Sequence, residues 1–536
     1  MSYKDSVDPL EEATYRTQSH NDHDIVGGSQ MPPVHISSGQ RSRSNSLINY
    51  ALGRVEQDKP NEVIEEHPDE SEESKEHEQE KEQEQNEPLE QGLTKTSTTK
   101  SEKRARHERN KSNFWKVVVM FAKVYLIMFV LFVGILSIYW GSLYDRPSHY
   151  HKINYLVVLD EDLEAQQPPS LYSLTLQNLL TNEAITKYGT FEFQNGTTFN
   201  ELAQKHNNTN RDEVIRQVHH QNYWGGIYVP KNLTQDYYQA LTTNSSFNGT
   251  IEFIYETGRN PQGVASYIVS IMKTIEKQFV KSGSQSIVQR LISQLSQDQL
   301  STILQSHSEL LQPLWWHWTD NRPNPGSIVI TVVQIGLIYL LVLSFHQFNF
   351  ASSTHEYILK NIHTRQYLLY HYTVSQLAYI ILSLVYSLMT LAFKVDHTKT
   401  FGKSGFLVEW VFVYLTMAAL GGVNENAAIQ IFARYKPIIG FWIVFFLVIN
   451  VSPVFSPMIV MNRFYRYGYA MPLYNGNELL KIIFLDTYKG NIGRNVGVLI
   501  AWIVLMNIIL PFNLRNVRNY TRAVNAKAKK VLDEKK

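Results

Sequence analysis

Long apolar runs alternate with polar stretches along this chain, and their lengths sort it into regions. Val117–Trp140 (VVVMFAKVYLIMFVLFVGILSIYW) carries a single charge, Lys123. It exceeds the roughly 20 residues needed to cross a bilayer as a helix. Ile328–Phe345, Tyr367–Phe393, Phe406–Phe432 and Ile438–Val460 read the same way, and Val496–Phe512 is a shorter sixth run. Aromatic residues gather near their ends (Trp115, Tyr139, Trp140, Tyr367, Trp410, Trp502), where the membrane–water boundary favours them. The pattern predicts an α-helical polytopic membrane protein with six transmembrane helices. Residues 328–512 would form a five-helix bundle and 113–140 a separate first span.

Between the first and second runs, residues 141–327 have the mixed periodicity of a folded domain. Ile153–Leu159, Gly225–Val229 and Thr250–Tyr255 are strand candidates, rich in β-branched and aromatic residues. Val264, Ile268, Ile271, Met272, Ile275 and Phe279 recur at helical spacing, as do Leu291, Ile292, Leu295, Leu300, Ile303 and Leu304. An α/β extracytoplasmic domain is expected, with those faces as its core. Trp315, Trp316 and Trp318 read as an interfacial belt before the second span.

Charge sets the orientation. The whole chain has 50 Lys+Arg against 49 Asp+Glu, but the two signs are segregated. Glu56 to Glu90 holds sixteen acidic residues against three Lys, whereas Gln91 to Lys116 holds eight basic residues against Glu102 and Glu108. Residues 1–112 lack an apolar period and are expected to be a disordered tail. Residues 513–536 form a second basic tail, carrying Arg515, Arg518, Arg522, Lys527, Lys529, Lys530, Lys535 and Lys536. The positive-inside rule puts both termini in the cytosol and the 141–327 domain outside it. Five Asn-x-Ser/Thr acceptors in that domain agree: Asn195, Asn207, Asn232, Asn244 and Asn248 are candidate glycosylation sites. In the tail, Arg41 and Arg43 stand three residues before Ser44 and Ser46, two candidate phosphorylation sites.

Candidate chemistry is sparse. The absence of Cys excludes disulfides, thiol catalysis and thiolate metal sites. Gly402-Lys403-Ser404 is no P-loop, because His397 stands where the first glycine belongs. His219-His220 lacks companion ligands and reads as a solvated pair. No enzyme, cofactor, metal or nucleic-acid partner is expected. The better lead is Asn424-Glu425-Asn426, following Gly421-Gly422 in the fourth span. Glu425 would lie about 10–12 Å from the cytosolic end of that helix. A carboxylate there either carries a proton, meets a cationic group such as Lys123, or glues helices together. Pro453 and Pro457 should bend the outer end of the fifth span. The apolar run Leu479–Leu485, interrupted by Lys481, is too short to span and reads as a re-entrant helix, with Asn475-Gly476-Asn477 as its turn and N-cap.

One span, a large external domain and five further spans resemble the YhgE/Pip-type (phage-infection-protein) branch of ABC-2 membrane domains. The segments Leu156–Asp160 (LVVLD), Tyr223–Pro230 (YWGGIYVP) and Tyr467–Asn475 (YGYAMPLYN) are similar to those of the fungal nitrosoguanidine-resistance proteins. The resemblance covers residues 113–515 or so. It implies a plasma-membrane protein, with an endomembrane location such as the endoplasmic reticulum as the alternative. It also implies drug resistance through export of small toxic compounds, or else non-transporting regulation of phospholipid asymmetry. The partners it implies are the lipid bilayer, a small-molecule or lipid substrate, a flippase or separate ATPase, and a second copy of the chain as a homo-oligomer. No site residues come with it.

Overall fold

A computed structural model describes residues 94–161 and 170–534. The acidic block, Ser44 and Ser46 lie outside the described residues. Helix α1 (Thr94–Leu143) begins inside the segment expected to be an unstructured tail, because Lys, Arg and Glu between the Thr/Ser-rich start and the apolar run all favour helix. Its apolar length is almost wholly exposed, as suits a helix surrounded by lipid. Near its end, Gly141 lets the Tyr465 ring approach, and the Tyr465 hydroxyl donates to the Ile138 carbonyl at 2.7 Å.

The next part of the chain folds into a five-stranded mixed sheet in the order β2-β1-β3-β4-β5. β1 (Asn154–Leu159) runs parallel to β2 (Thr190–Asn195) and to β3 (Gly225–Val229). β4 (Glu252–Tyr255) is antiparallel to β3 and parallel to β5 (His317–Asp320). Helices α2 (Leu171–Leu180), α3 (Gly196–Lys205), α4 (Asn210–His219) and α5 (Leu233–Thr243) cover the sheet. They are joined by α6 (residues 261–292), which includes two π-helical stretches, and by α7 (Gln297–Ser306). Buried Tyr155, Val157, Phe253, Met272, Ile275 and Phe279 form the main core, so the first helical face packs inward as expected, whereas of the second only Leu291 and Ile303 are buried and Leu304 is exposed.

The Trp cluster differs from expectation. Trp316 is buried against Phe279, and Trp318 lies in β5 with its ring 5.0 Å from Phe253. Only Trp315 is exposed. Glu276 of α6 holds both tryptophans: its carboxylate accepts from the Trp316 backbone N–H at 2.9 Å and from the Trp318 indole at 3.2 Å. A buried acceptor for its indole N–H draws Trp318 towards the core rather than to an interface, whereas the Trp316 indole is buried without one.

The remaining chain is a helical bundle: α8 (residues 327–361), α9 (Thr364–Ala392), α10 (Gly405–Arg434), α11 (Ile439–Val451), α12 (Pro472–Leu485) and α13 (Ile492–Asp533). Among the described residues, five helical segments are long and apolar enough to cross a membrane: Asn113–Leu143, Ser327–His355, Arg365–Ala392, Thr398–Arg434 and Lys489–Asp533. The expected fifth span is shorter than its apolar run. α11 stops at Val451, just before Pro453 and Pro457 remove helix donors. Pro457 then packs on Gly263 of the sheet domain.

α12 is the expected non-spanning helix, and nearly every residue of it is buried. Its start differs from expectation. Pro472 occupies the first turn, where its missing N–H costs nothing, and Asn475-Gly476-Asn477 lies inside the helix rather than capping it. Gly476 faces Thr416 of α10 so closely that a Cβ would stand 2.5 Å from its hydroxyl. Asn477 ties α12 to the Val333 carbonyl at 2.9 Å. α13 continues past the membrane run into the basic tail, carrying Pro511 within it.

Candidate functional site

In a helix, side chains four residues apart stack on one face. On α9 that face carries His371, Ser375, Tyr379, Ser383 and Ser387, followed by Thr390, and all six are buried. This polar stripe faces α10, where Trp410 donates to the Ser383 hydroxyl at 3.2 Å. A buried histidine–carboxylate pair closes each end of it.

At the end away from the sheet domain, Glu425 of α10 meets three side chains of α9. The Ser375 hydroxyl donates to its Oε1 at 2.6 Å and the Tyr379 hydroxyl to its Oε2 at 3.3 Å. His371 Nε2 stands 2.8 Å from Oε1, close enough to pair but not aligned as a hydrogen bond. His355, from the last turns of α8, lies with its ring centroid 4.8 Å from that of His371. Neither nitrogen of either imidazole makes a hydrogen bond. Gly421, one turn before Glu425, leaves the space that the Tyr379 ring occupies.

The flanking amides act differently. Asn424 donates to the Leu341 carbonyl at 3.2 Å and the Ser344 hydroxyl at 3.0 Å, and accepts from the Trp442 indole at 3.2 Å. It thus ties α10 to α8 and α11. Asn426 donates to the Met506 carbonyl at 3.1 Å and accepts from Asn513 at 2.8 Å, tying α10 to α13. The two asparagines are interhelical bridges, and only Glu425 sits in a cluster of ionisable groups. Lys123 is exposed on α1 and is not among the partners of Glu425.

At the end near the sheet domain, His397 Nε2 stands 2.8 Å from Oε2 of Glu409, and Thr390 donates to the same carboxylate at 2.9 Å. All three are buried. Sequence reasoning passed over this pair, and it also passed over His355 and His371. The four-residue recurrence of His371, Ser375, Tyr379 and Ser383 within an otherwise apolar run was the available signal for the stripe.

Charged groups also line the junction of bundle and sheet domain. Buried Lys481 of α12 pairs with Glu478 at 2.6 Å and donates to the Arg259 carbonyl at 2.6 Å. The Arg259 guanidinium lies 3.6 Å over the Trp224 ring and donates to the Tyr223 carbonyl at 2.7 Å. Burial pushes its pKa down to about 10, which leaves it a cation at neutral pH. Arg322 pairs with Asp486 at 3.1 Å. A cavity of about 210 Å³ opens here, lined by Trp224, Arg259, Tyr474, Glu478, Lys481 and Arg494. Beside it a groove of about 790 Å³ is bordered by Lys152, Arg463, Arg466 and Tyr469.

In the sheet domain, His219 is not a solvated residue. Its Nδ1 lies 2.9 Å from buried Glu256, and His220 packs on Tyr488. Of the acceptor asparagines, Asn195, Asn207 and Asn248 are exposed and Asn232 is half-buried. Asn195 also caps α3 through its side chain. The Asn244 amide already donates to Ser306 at 2.7 Å.

Comparison with known proteins gives the family. An uncharacterized endoplasmic reticulum membrane protein of Saccharomyces cerevisiae is 29% identical over 412 residues, spanning 74% of this chain and 80% of the relative. No solved structure matches. The family described as "Protein of unknown function (DUF3533)" matches residues 124–508, which is most of the chain and takes in much of the first span, the sheet domain and most of the bundle. The chain is therefore a membrane protein belonging to the DUF3533 family.

Proposed function

We propose that this protein is a permease for small toxic compounds, with no catalytic role of its own, and that the Glu425 cluster is the working centre of its bundle. The observation that carries the reading is the convergence of His355, His371, Ser375, Tyr379 and Glu425 from three helices at one sealed point. Polar and ionisable groups are expensive inside a bilayer, and helix packing alone does not call for this many. The stripe along α9 continues the polar surface from there to the His397–Glu409 pair. The charged junction cavity beside the sheet domain then supplies a mouth. The likeness to nitrosoguanidine-resistance proteins supports export as the direction.

Six crossings with both termini in the cytosol fit this reading. α11 and its flanking turns run from Lys436 back to the sheet domain, where Pro457 meets Gly263. The yeast relative is described as an endoplasmic reticulum protein, which supports an endomembrane location with the sheet domain in the lumen, in place of the plasma membrane. The five acceptor asparagines fit a lumenal face.

A second reading is a non-transporting regulator of phospholipid asymmetry that docks a flippase. It is favoured by α1, whose apolar surface is left unburied by the bundle. One experiment separates the two. Cells lacking the chain are complemented with wild type, Glu425→Gln or Glu425→Ala, and drug resistance, drug efflux and surface lipid exposure are measured. Permease function requires that Glu425→Gln lower efflux and resistance together. Co-purification of a flippase, with resistance intact in Glu425→Ala, supports regulation instead and contradicts the permease.

A further inference from the structure

We propose that His355, His371 and Glu425 form a binding site for a divalent transition metal of the zinc type, joining α8, α9 and α10. One ligand atom from each residue lies within 4.8 Å of the other two, and all three residues are buried. Two imidazoles and a carboxylate are a donor set suited to zinc, which three protein ligands hold with a fourth position left for water or another small ligand.

Two features of the cluster point to an ion rather than to helix glue. First, all four imidazole nitrogens of His355 and His371 are buried without a hydrogen bond. Buried polar atoms are normally partnered, and an imidazole lone pair aimed at a cation is one way to meet that demand. Second, the carboxylate is already positioned from behind: Ser375 and Tyr379 donate to its two oxygens. Metal-binding carboxylates are typically oriented by such outer hydrogen bonds.

The pair at the other end of the stripe is the internal contrast. His397 and Glu409 offer only two donors, and Thr390 donates to both carboxylate oxygens of Glu409, at 2.9 and 3.0 Å. They lack the third ligand and the orphaned nitrogens.

This assignment does not require that the bundle move a solute, and it is tested by metal content rather than by flux. Full-length protein is purified in detergent through a histidine-free tag, stripped with EDTA, loaded with zinc chloride and desalted. Zinc per chain is then measured by plasma mass spectrometry. The wild type should retain about one zinc more than His355→Gln, His371→Gln or Glu425→Gln, while His397→Gln should match the wild type. X-ray absorption on the loaded wild type, which needs no variant to fold, should show imidazole nitrogen and carboxylate oxygen ligands. Equal zinc in the wild type and in well-folded variants of the three residues overturns the proposal, as does a wild-type spectrum without imidazole ligation.

Discussion

Replacing Gly421 with Ala probes whether the α9–α10 contact positions Tyr379 for Glu425. A Cβ at Gly421 would fall 2.4 Å from Tyr379 Cζ, 2.5 Å from Cε1 and 2.6 Å from the hydroxyl. The ring is fully buried, so it must retreat by about 1 Å to reach ordinary contact distance. That displacement breaks a hydrogen bond already at 3.3 Å. Overpacking a core costs about 1–3 kcal/mol, and the lost hydrogen bond adds about 0.5–1.5 kcal/mol. Ala in place of Gly gains about 1 kcal/mol of helix propensity. The balance is a loss of about 0.5–3.5 kcal/mol. Thermal unfolding in detergent, followed by Trp fluorescence, should show Gly421→Ala melting below the wild type. Adding Tyr379→Leu removes the ring that clashes, so the double variant should lose less than the two single losses combined. A Gly421→Ala protein as stable as the wild type or more so, as helix propensity alone would give, would refute the contact.

Three further outcomes follow from other parts of the molecule. Burial alone would raise the Glu213 carboxyl, but hydrogen bonds from Arg216, Gln217 and Asn208 prevail and hold it down at about 2 from 4.5. A depressed folded pKa contributes stability above the unfolded value, here about 3 kcal/mol, which is lost as pH falls from about 5 towards 2. An acid titration of the full chain should show Glu213→Gln flattening that decline, and an unchanged acid midpoint would contradict it. Lys481→Ala leaves Glu478 and the Arg259 carbonyl without their partner and should destabilise the junction by about 3–5 kcal/mol. Increased protease cleavage between α12 and the sheet domain checks this, and Lys481→Met with Glu478→Gln should be milder than Lys481→Ala. Trp316→Ala should cost about 3–5 kcal/mol as a core truncation, whereas Trp315→Ala should leave the melting temperature nearly unchanged.

The membrane spans were legible because lipid imposes a length and a composition together. The limit was the fifth, where hydropathy continues through Pro453 and Pro457 but the hydrogen-bonded helix ends at Val451. In the sheet domain, β1, β3 and β4 were readable because their residues are mostly buried and apolar. β2 (TFEFQN) is an edge strand whose polar residues alternate with half-buried Phe, and β5 (HWTD) is short and Trp-marked, so neither resembled a buried run. Glu425 stood out as a carboxylate in an apolar stretch. Its histidines did not, because His355 and His371 lie close to the polar connection between α8 and α9, where histidine is unremarkable in sequence. Only the packing of α8 and α9 against α10 brings the three together. Lys481 looked like an interruption of an apolar helix and is instead the residue that ties that helix to the sheet domain.

A bundle that moves a solute through a path dependent on Glu425, as proposed, should permit downhill efflux, which needs no energy source. Purified protein is reconstituted into liposomes preloaded with a labelled toxic compound such as a nitrosoguanidine, and release into solute-free buffer is timed. Wild-type liposomes should release the compound faster than protein-free liposomes, and Glu425→Gln should return the rate towards the protein-free value at equal reconstitution. Release from wild-type liposomes at the protein-free rate, across a panel of such compounds, would show that the bundle is not a permease for them.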